Sequence, residues 1–143
     1  MILLDTNVIS ETMRERPNSA VSAWIDAQPR KELWTASVVI AELLAGIETM
    51  SVGQKQKTLR AAVEDMILDD FHGQILPFNL PAARQYAQIL AKRQKMGRPI
   101  REMDAQIAAI ARVHGATLVT HDVNDFASCN LTVVNPWEKQ GQP

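Results

Sequence analysis

Met1-Ile2-Leu3-Leu4-Asp5-Thr6-Asn7 opens the chain with a short apolar run that ends on a carboxylate. An uninterrupted run of this kind reads as a strand covered on both faces, as in the middle of a parallel sheet. Asp5 then falls just past the strand's carboxyl end, the edge at which open α/β sheets bind ligands. The same placement suits a helix cap, because Asp5 or Thr6 can accept from the free amides of a following first turn. A single acid at a strand end does not separate these roles; three further acids bear on the choice.

Outward from that strand, helical and extended patterns alternate. Val8 to Arg16 reads as a short helix or turn ending before Pro17. Asn18 or Ser19 can cap the next helix, which turns Val21, Trp24 and Ile25 to one side. Leu33 to Ala36 is a short strand, and Ser37 opens a helix through Ile47 that is apolar almost all round. Gln54 to Asp70 carries an amphipathic stripe of Leu59, Ala62, Val63, Met66 and Ile67. Ile75 to Phe78 is a strand, Pro81 starts a helix stopped by Gly97 and Pro99, and Glu102 to His114 is a helix that Gly115 caps. Thr117 to Thr120 and Leu131 to Val134 are short strands rich in β-branched residues. The alternation predicts an α/β fold: a short parallel central sheet flanked by helices. One domain is expected over residues 1–137, with a disordered tail over 138–143.

Composition narrows the function classes. A net charge of −1 gives no global pull toward nucleic acid or membrane, so a polyanionic partner must meet a local patch. No apolar window approaches the length of a membrane span, and Asp5 interrupts the opening run too early for a leader. The lone Cys129 excludes an intrachain disulfide and a cysteine metal cluster, and suits a reducing, cytoplasmic setting. Cys129 is expected to be a small buried hydrophobe.

The acids stand where acids are costly. Glu42 is the sole charged residue between Glu32 and Glu48, with Val38, Val39, Ala45 and Gly46 as its helical neighbours. Asp104 heads the inward stripe of Ile107, Ala108 and Ala111, leaving Gln106 and Arg112 for the exposed face. Asp122 follows the Leu118-Val119-Thr120 strand, much as Asp5 follows the first. Each has a structural alternative: an internal ion pair for Glu42, a first-turn acid for Asp104, a turn residue for Asp122. Together they form a carboxylate set without matching buried bases, which asks for a cation. Oxygen-only ligands suit Mg²⁺ or Mn²⁺ rather than zinc. His72, His114 and His121 share no face and no ligand spacing, and are read as structural or exposed.

Taken in order, Asp5-Thr6-Asn7, Ala41-Glu42-Leu43, Asp104-Ala105-Gln106-Ile107-Ala108-Ala109 and Thr120-His121-Asp122 resemble a PIN domain, and within it the VapC toxins of bacterial toxin–antitoxin pairs. The opening Met-Ile-Leu-Leu-Asp-Thr-Asn-Val-Ile-Ser and the closing Asn135-Pro136-Trp137 look most like the FitB-type branch. The resemblance covers residues 1–137. It implies a PIN-like α/β/α sandwich and a ribonuclease whose acidic quartet, Asp5, Glu42, Asp104 and Asp122, binds Mg²⁺ or Mn²⁺. Asp5 and Asp104 would be the most direct ligands, with Thr6 and Thr120 beside them. Asp125, before Phe126, competes with Asp122 for the fourth place. A VapB-type antitoxin, a homodimer and DNA contact only through the antitoxin are implied as well.

The expected reaction is metal-assisted hydrolysis of an RNA phosphodiester, with Glu42 orienting the attacking water. Lys92, Arg93, Lys95, Arg98 and Arg101 lead into Asp104 and are the candidate phosphate contacts, or else a solvated helix end. Two other readings compete. A FitB-like binding module would keep the acids yet act mainly within an antitoxin–DNA complex. A receiver domain also places Asp at strand ends, but needs a late-strand Lys where Thr120-His121 stands.

Overall fold

In the computed structural model, which describes residues 1–138, the opening run forms β1 (Ile2–Leu4), with Leu3 and Leu4 buried. It lies at the centre of a five-stranded sheet of order β3-β2-β1-β4-β5, where β2 is Leu33–Ala36, β3 Ile75–Leu76, β4 Thr117–Val119 and β5 Val133–Val134. Every pairing is parallel, with Ile2 opposite Leu33 on one side and Leu4 opposite Val119 on the other. All carboxyl ends therefore meet along one edge. The chain runs outward from β1 to β3 and then returns to the other side of β1 for β4. The crevice between β1 and β4 is the topological switch point of the sheet. Of the tail expected over residues 138–143, only Glu138 falls among the described residues.

Among the described residues, six α-helices pack on this sheet: α1 (Thr6–Thr12), α2 (Ser19–Asp26), α3 (Ser37–Glu48), α4 (Gln54–Asp65), α5 (Leu80–Lys95) and α6 (Glu102–His114). Side-chain caps start several of them. Asn18 Oδ1 accepts from the amides of Ala20 and Val21, and Asn79 Oδ1 accepts from Ala82, with Pro81 in the same first turn. Gly115 ends α6 at φ +59°, the left-handed conformation that glycine adopts without strain. The core is the apolar underside of the helices on β1, β2 and β4: Val8, Ile9, Val39, Ile107, Ile110 and Leu118 are each essentially inaccessible.

Several local expectations change; the first helix is Thr6–Thr12 and the last strand only Val133–Val134. The helix expected over Gln54–Asp70 is regular only to Asp65; Met66–Asp70 forms a wider π turn, in which the Phe71 amide reaches back five residues to the Met66 carbonyl. The wide turn places both Met66 and Phe71 in the core. On α4, Ala62 is exposed and Gln56 takes the inward place, donating to the Ile47 carbonyl at 3.0 Å. Helix α6 is covered nearly all round, with Ala105 and Ile107 to Ala111 buried and both Gln106 and Arg112 half-buried. β3 stops at Leu76 because Pro77 has no amide to continue the ladder.

Candidate active site

The sheet's switch point gathers the four acids. Asp5 is 4% exposed and plays both roles open to it. Its Oδ1 accepts from the Thr6 amide at 2.8 Å as the cap of α1, and its Oδ2 accepts from the Thr120 hydroxyl at 2.8 Å. Thr120 follows β4, so this bond ties the two central strands together just beyond their ladder, where the Asp5 amide donates to the Val119 carbonyl. Burial pushes the Asp5 carboxyl from 3.8 up to about 6, against the hydrogen bonds from Thr120 and Thr6, with the fields of Asp104 and Glu42 adding to the rise.

Thr6 brings in the next acid: its hydroxyl donates to Glu42 Oε1 at 2.8 Å. Glu42 comes from α3 and is half-buried at the cleft edge, not enclosed, because Ala45 and Gly46 beside it face outward. Its other oxygen lies 4.0 Å from Arg101 Nη2, a loose contact to an exposed guanidinium, not the tight internal pair that would fully account for the acid. Asp104, in the first turn of α6, is half-buried. Burial raises its carboxyl, Arg101 opposes the rise, and the charges of Asp125, Glu42 and Asp122 add to it.

Asp122 stands exposed at the rim and is held by Asn7, whose Nδ2 donates to Asp122 Oδ2 at 3.1 Å and to Thr120 Oγ1 at 3.2 Å. Asn7 Oδ1 accepts from the His121 amide, and the Asp122 amide donates to Thr120 Oγ1. The Thr120 hydroxyl thus donates once and accepts twice, its full capacity. Such a saturated group fixes Asp5, Asn7 and Asp122 relative to one another. In the sequence Asn7 is marked only by its place in Asp5-Thr6-Asn7. Its helical face continues through Ser10, Glu11 and Arg14, a spacing of three, four and seven that was available in the sequence to mark the cleft wall.

Asp5, Glu42, Asp104 and Asp122 line one cleft of about 460 Å³, together with Thr6, Asn7, Arg14 and Arg101. Asp125 does not line it, although its charge reaches Asp104. Glu11 also lines the cleft but serves the fold, accepting from the Asn18 amide at 3.0 Å. Among the described residues no three carboxylates make a ready-made metal cage. The donor set nonetheless fits a hard cation that keeps several waters and takes one or two carboxylates from the protein, as Mg²⁺ does. Buried Asp5, costly when ionised and unpaired, is the observation that favours it.

The basic run divides. Arg93 is 5% exposed: its guanidinium donates to the carbonyls of Arg98 at 2.7 Å, Asp125 at 2.8 Å and Ala127 at 3.0 Å. It staples the end of α5 to the loop that carries Asp122 and Asp125, and has no free face for a phosphate. This corrects the expectation for Arg93. Lys92, Lys95 and Arg98 are exposed but away from the cleft lining, and Arg101 alone of the five lines it. Of the remaining expectations, Cys129 is buried, His72 and His114 are exposed, and His121 stacks on Trp137 at 4.4 Å.

A PIN domain family model matches residues 2–129. The chain is 45% identical over 138 residues to the plasmid stability protein StbB of Pseudomonas syringae pv. tomato, covering 96% of this chain and 99% of that one. It is 40% identical over 138 residues to VapC ribonuclease Y4jK of Sinorhizobium fredii, with the same coverage. Among solved structures, FitAB bound to an IR36 DNA fragment matches with a TM-score of 0.92 at 38% identity, covering all of both chains.

Proposed function

Because the chain belongs to the PIN-domain family, we propose that it is the toxin of a toxin–antitoxin pair and a Mg²⁺- or Mn²⁺-dependent endoribonuclease. The observation that carries this is the convergence of Asp5, Glu42, Asp104 and Asp122 on one cleft at the sheet's switch point. The likeness to a VapC ribonuclease and to FitAB supports it. Asp5 and Asp104 hold the cation most directly, with Glu42 and Asp122 as its less direct ligands. When bound, the cation supplies Lewis acidity toward the phosphodiester and its attacking water. Thr6 holds Glu42 so that it orients that water; Thr120 and Asn7 keep Asp5 and Asp122 from turning away. Lys92, Lys95 and Arg98, exposed at and beyond the end of α5, supply further phosphate contacts outside the cleft.

The partner is a VapB-type antitoxin. Beside the cleft, a groove of about 910 Å³ runs between α1 and the α3–α4 pair, floored by Leu43, Ile47, Met50 and Leu59. It opens into the cleft through Thr6 and Glu42, so an apolar antitoxin helix laid there would bring its flanking residues to the acids. The toxin acts in the cytoplasm as a homodimer and meets DNA only through the antitoxin. No helix among the described residues is long and apolar enough to cross a membrane.

The test is cleavage of RNA by the purified chain freed of antitoxin, with Mn²⁺ and with chelator. Mn²⁺-dependent cleavage that Asp5→Asn removes supports the proposal. The FitAB–DNA likeness also favours a second reading, a binding partner within an antitoxin–DNA complex. Metal-independent behaviour and full antitoxin binding would favour that one.

A further inference from the structure

Two arginines enter the acidic cleft, and cation binding does not explain either. Arg101, just before α6, stands 4.0 Å from Glu42 with its side chain 74% exposed. Arg14, just past α1, stands 3.4 Å from Glu11 with its side chain 68% exposed. Glu11 already accepts from the Asn18 amide, so Arg14 is a secondary partner there. Both contacts are long and screened by solvent. Positive charge in a cleft of carboxylates weakens its hold on a cation. It is of use if the cleft also takes a phosphodiester, because the planar guanidinium fork matches phosphate oxygens.

We propose that Arg14 and Arg101 are the phosphate-holding arms of this cleft, and that Arg101 rests on Glu42 until a divalent cation takes its place. The proposal rests on the ribonuclease reading above. Arg101 and the cation compete for one carboxylate; once the cation is bound, the freed guanidinium turns to a backbone phosphate beside the one being cut. Arg101 also acts on Asp104, whose carboxyl it holds down against the rise from burial. Arg14, held by an acid outside the quartet, is available with or without the cation.

The full chain, freed of antitoxin, supplies two readouts. Mn²⁺ affinity is measured by electron paramagnetic resonance. Binding of phosphorothioate-substituted single-stranded RNA is measured against salt by anisotropy, in Mn²⁺ and in chelator. Arg101→Gln should tighten Mn²⁺ binding roughly two- to fivefold, the range of an exposed ion pair. The same change should lower the salt slope by about 0.7, one single-strand phosphate contact, in Mn²⁺ but not in chelator. Arg14→Gln should lower the slope in both conditions and leave Mn²⁺ affinity within twofold. Unchanged Mn²⁺ affinity in Arg101→Gln, or a slope unaltered by both variants, overturns the proposal while the wild type still binds Mn²⁺ and cleaves RNA. A wild type that does neither removes the ribonuclease reading itself, and the proposal with it.

Discussion

Asp5 is the residue on which the chemistry and the stability of the fold pull in opposite directions. Its carboxyl is raised from 3.8 to about 6, so the metal-free fold has its full stabilisation from the protonated group below about pH 4. That stabilisation is lost as pH rises through about 6, a change on the order of 2 to 3 kcal/mol for one buried group. In chelator, wild-type melting temperature should fall between pH 4 and pH 7, and Asp5→Asn should flatten the fall while abolishing Mn²⁺-dependent cleavage. An Asp5→Asn protein that cleaves at the wild-type rate would sink the assignment. Arg93 makes the opposite case, a charge used wholly for structure. Arg93→Ala removes a buried guanidinium that donates to the carbonyls of Arg98, Asp125 and Ala127 and should cost about 3 kcal/mol in chemical denaturation. Arg93→Lys should recover little, because one ammonium cannot replace a planar fork. At the fourth acidic position, Asp122→Asn should reduce cleavage more than Asp125→Asn, since Asp122 lines the cleft and is held by Asn7. The reverse order of rate losses would hand the role to Asp125.

Helices α1, α3 and α4 give the acid cleft its apolar annex. The walls bearing Leu43, Ile47 and Leu59 suit a helical segment, and the shared residues Thr6 and Glu42 make occupancy of groove and cleft interdependent. A basic antitoxin side chain reaching the carboxylates would exclude the cation, since both need the same oxygens. Saturating Mn²⁺ should therefore weaken antitoxin binding to the wild type, and should have little effect when Asp5 and Asp104 are both Asn. Equal affinity in the wild type with and without Mn²⁺ would mean that inhibition acts away from the acids. Outside the cleft, replacing Lys92, Lys95 and Arg98 together by Ala should flatten the salt dependence of RNA binding without touching metal affinity. An unaltered slope would leave them as the solvated end of α5.

For the whole molecule, the proposed cation would be a folding ligand as well as a chemical one. If it binds the native carboxylate constellation and not the unfolded chain, Mn²⁺ at a hundredfold excess over its Kd should add about 2.7 kcal/mol of stability. It also favours ionised Asp5, so the pH trend of the metal-free protein should be reversed with Mn²⁺ present, rising from pH 5 to pH 7 as the carboxylates release their protons. Calorimetry at several pH values with Mn²⁺ and with chelator checks both. A melting temperature that Mn²⁺ leaves unchanged at pH 7 would show that these acids hold no cation.

Local pattern was enough for much of this molecule. The unbroken apolar run of Ile2-Leu3-Leu4 marked a central strand, the alternation of strands with helices marked a parallel sheet, Asp5 and Asp122 stood out at strand ends, and Glu42 and Asp104 stood out among apolar helical neighbours. These are statements about periodicity and burial, which a chain carries along its own length. What faces what is a matter of long-range pairing. Only the strand order set β4 beside β1 and joined Thr120 to Asp5, and only the packing of α3 on α1 brought Glu42 to Thr6. Arg93 shows why such contacts are hidden from sequence. Its neighbours Lys92, Lys95 and Arg98 are exposed, yet its long side chain turns inward because carbonyls at Asp125 and Ala127, more than thirty positions away, offer their oxygens. Residue spacing fixes which way a side chain leaves its helix; the partner that waits there is fixed by how distant segments close on one another.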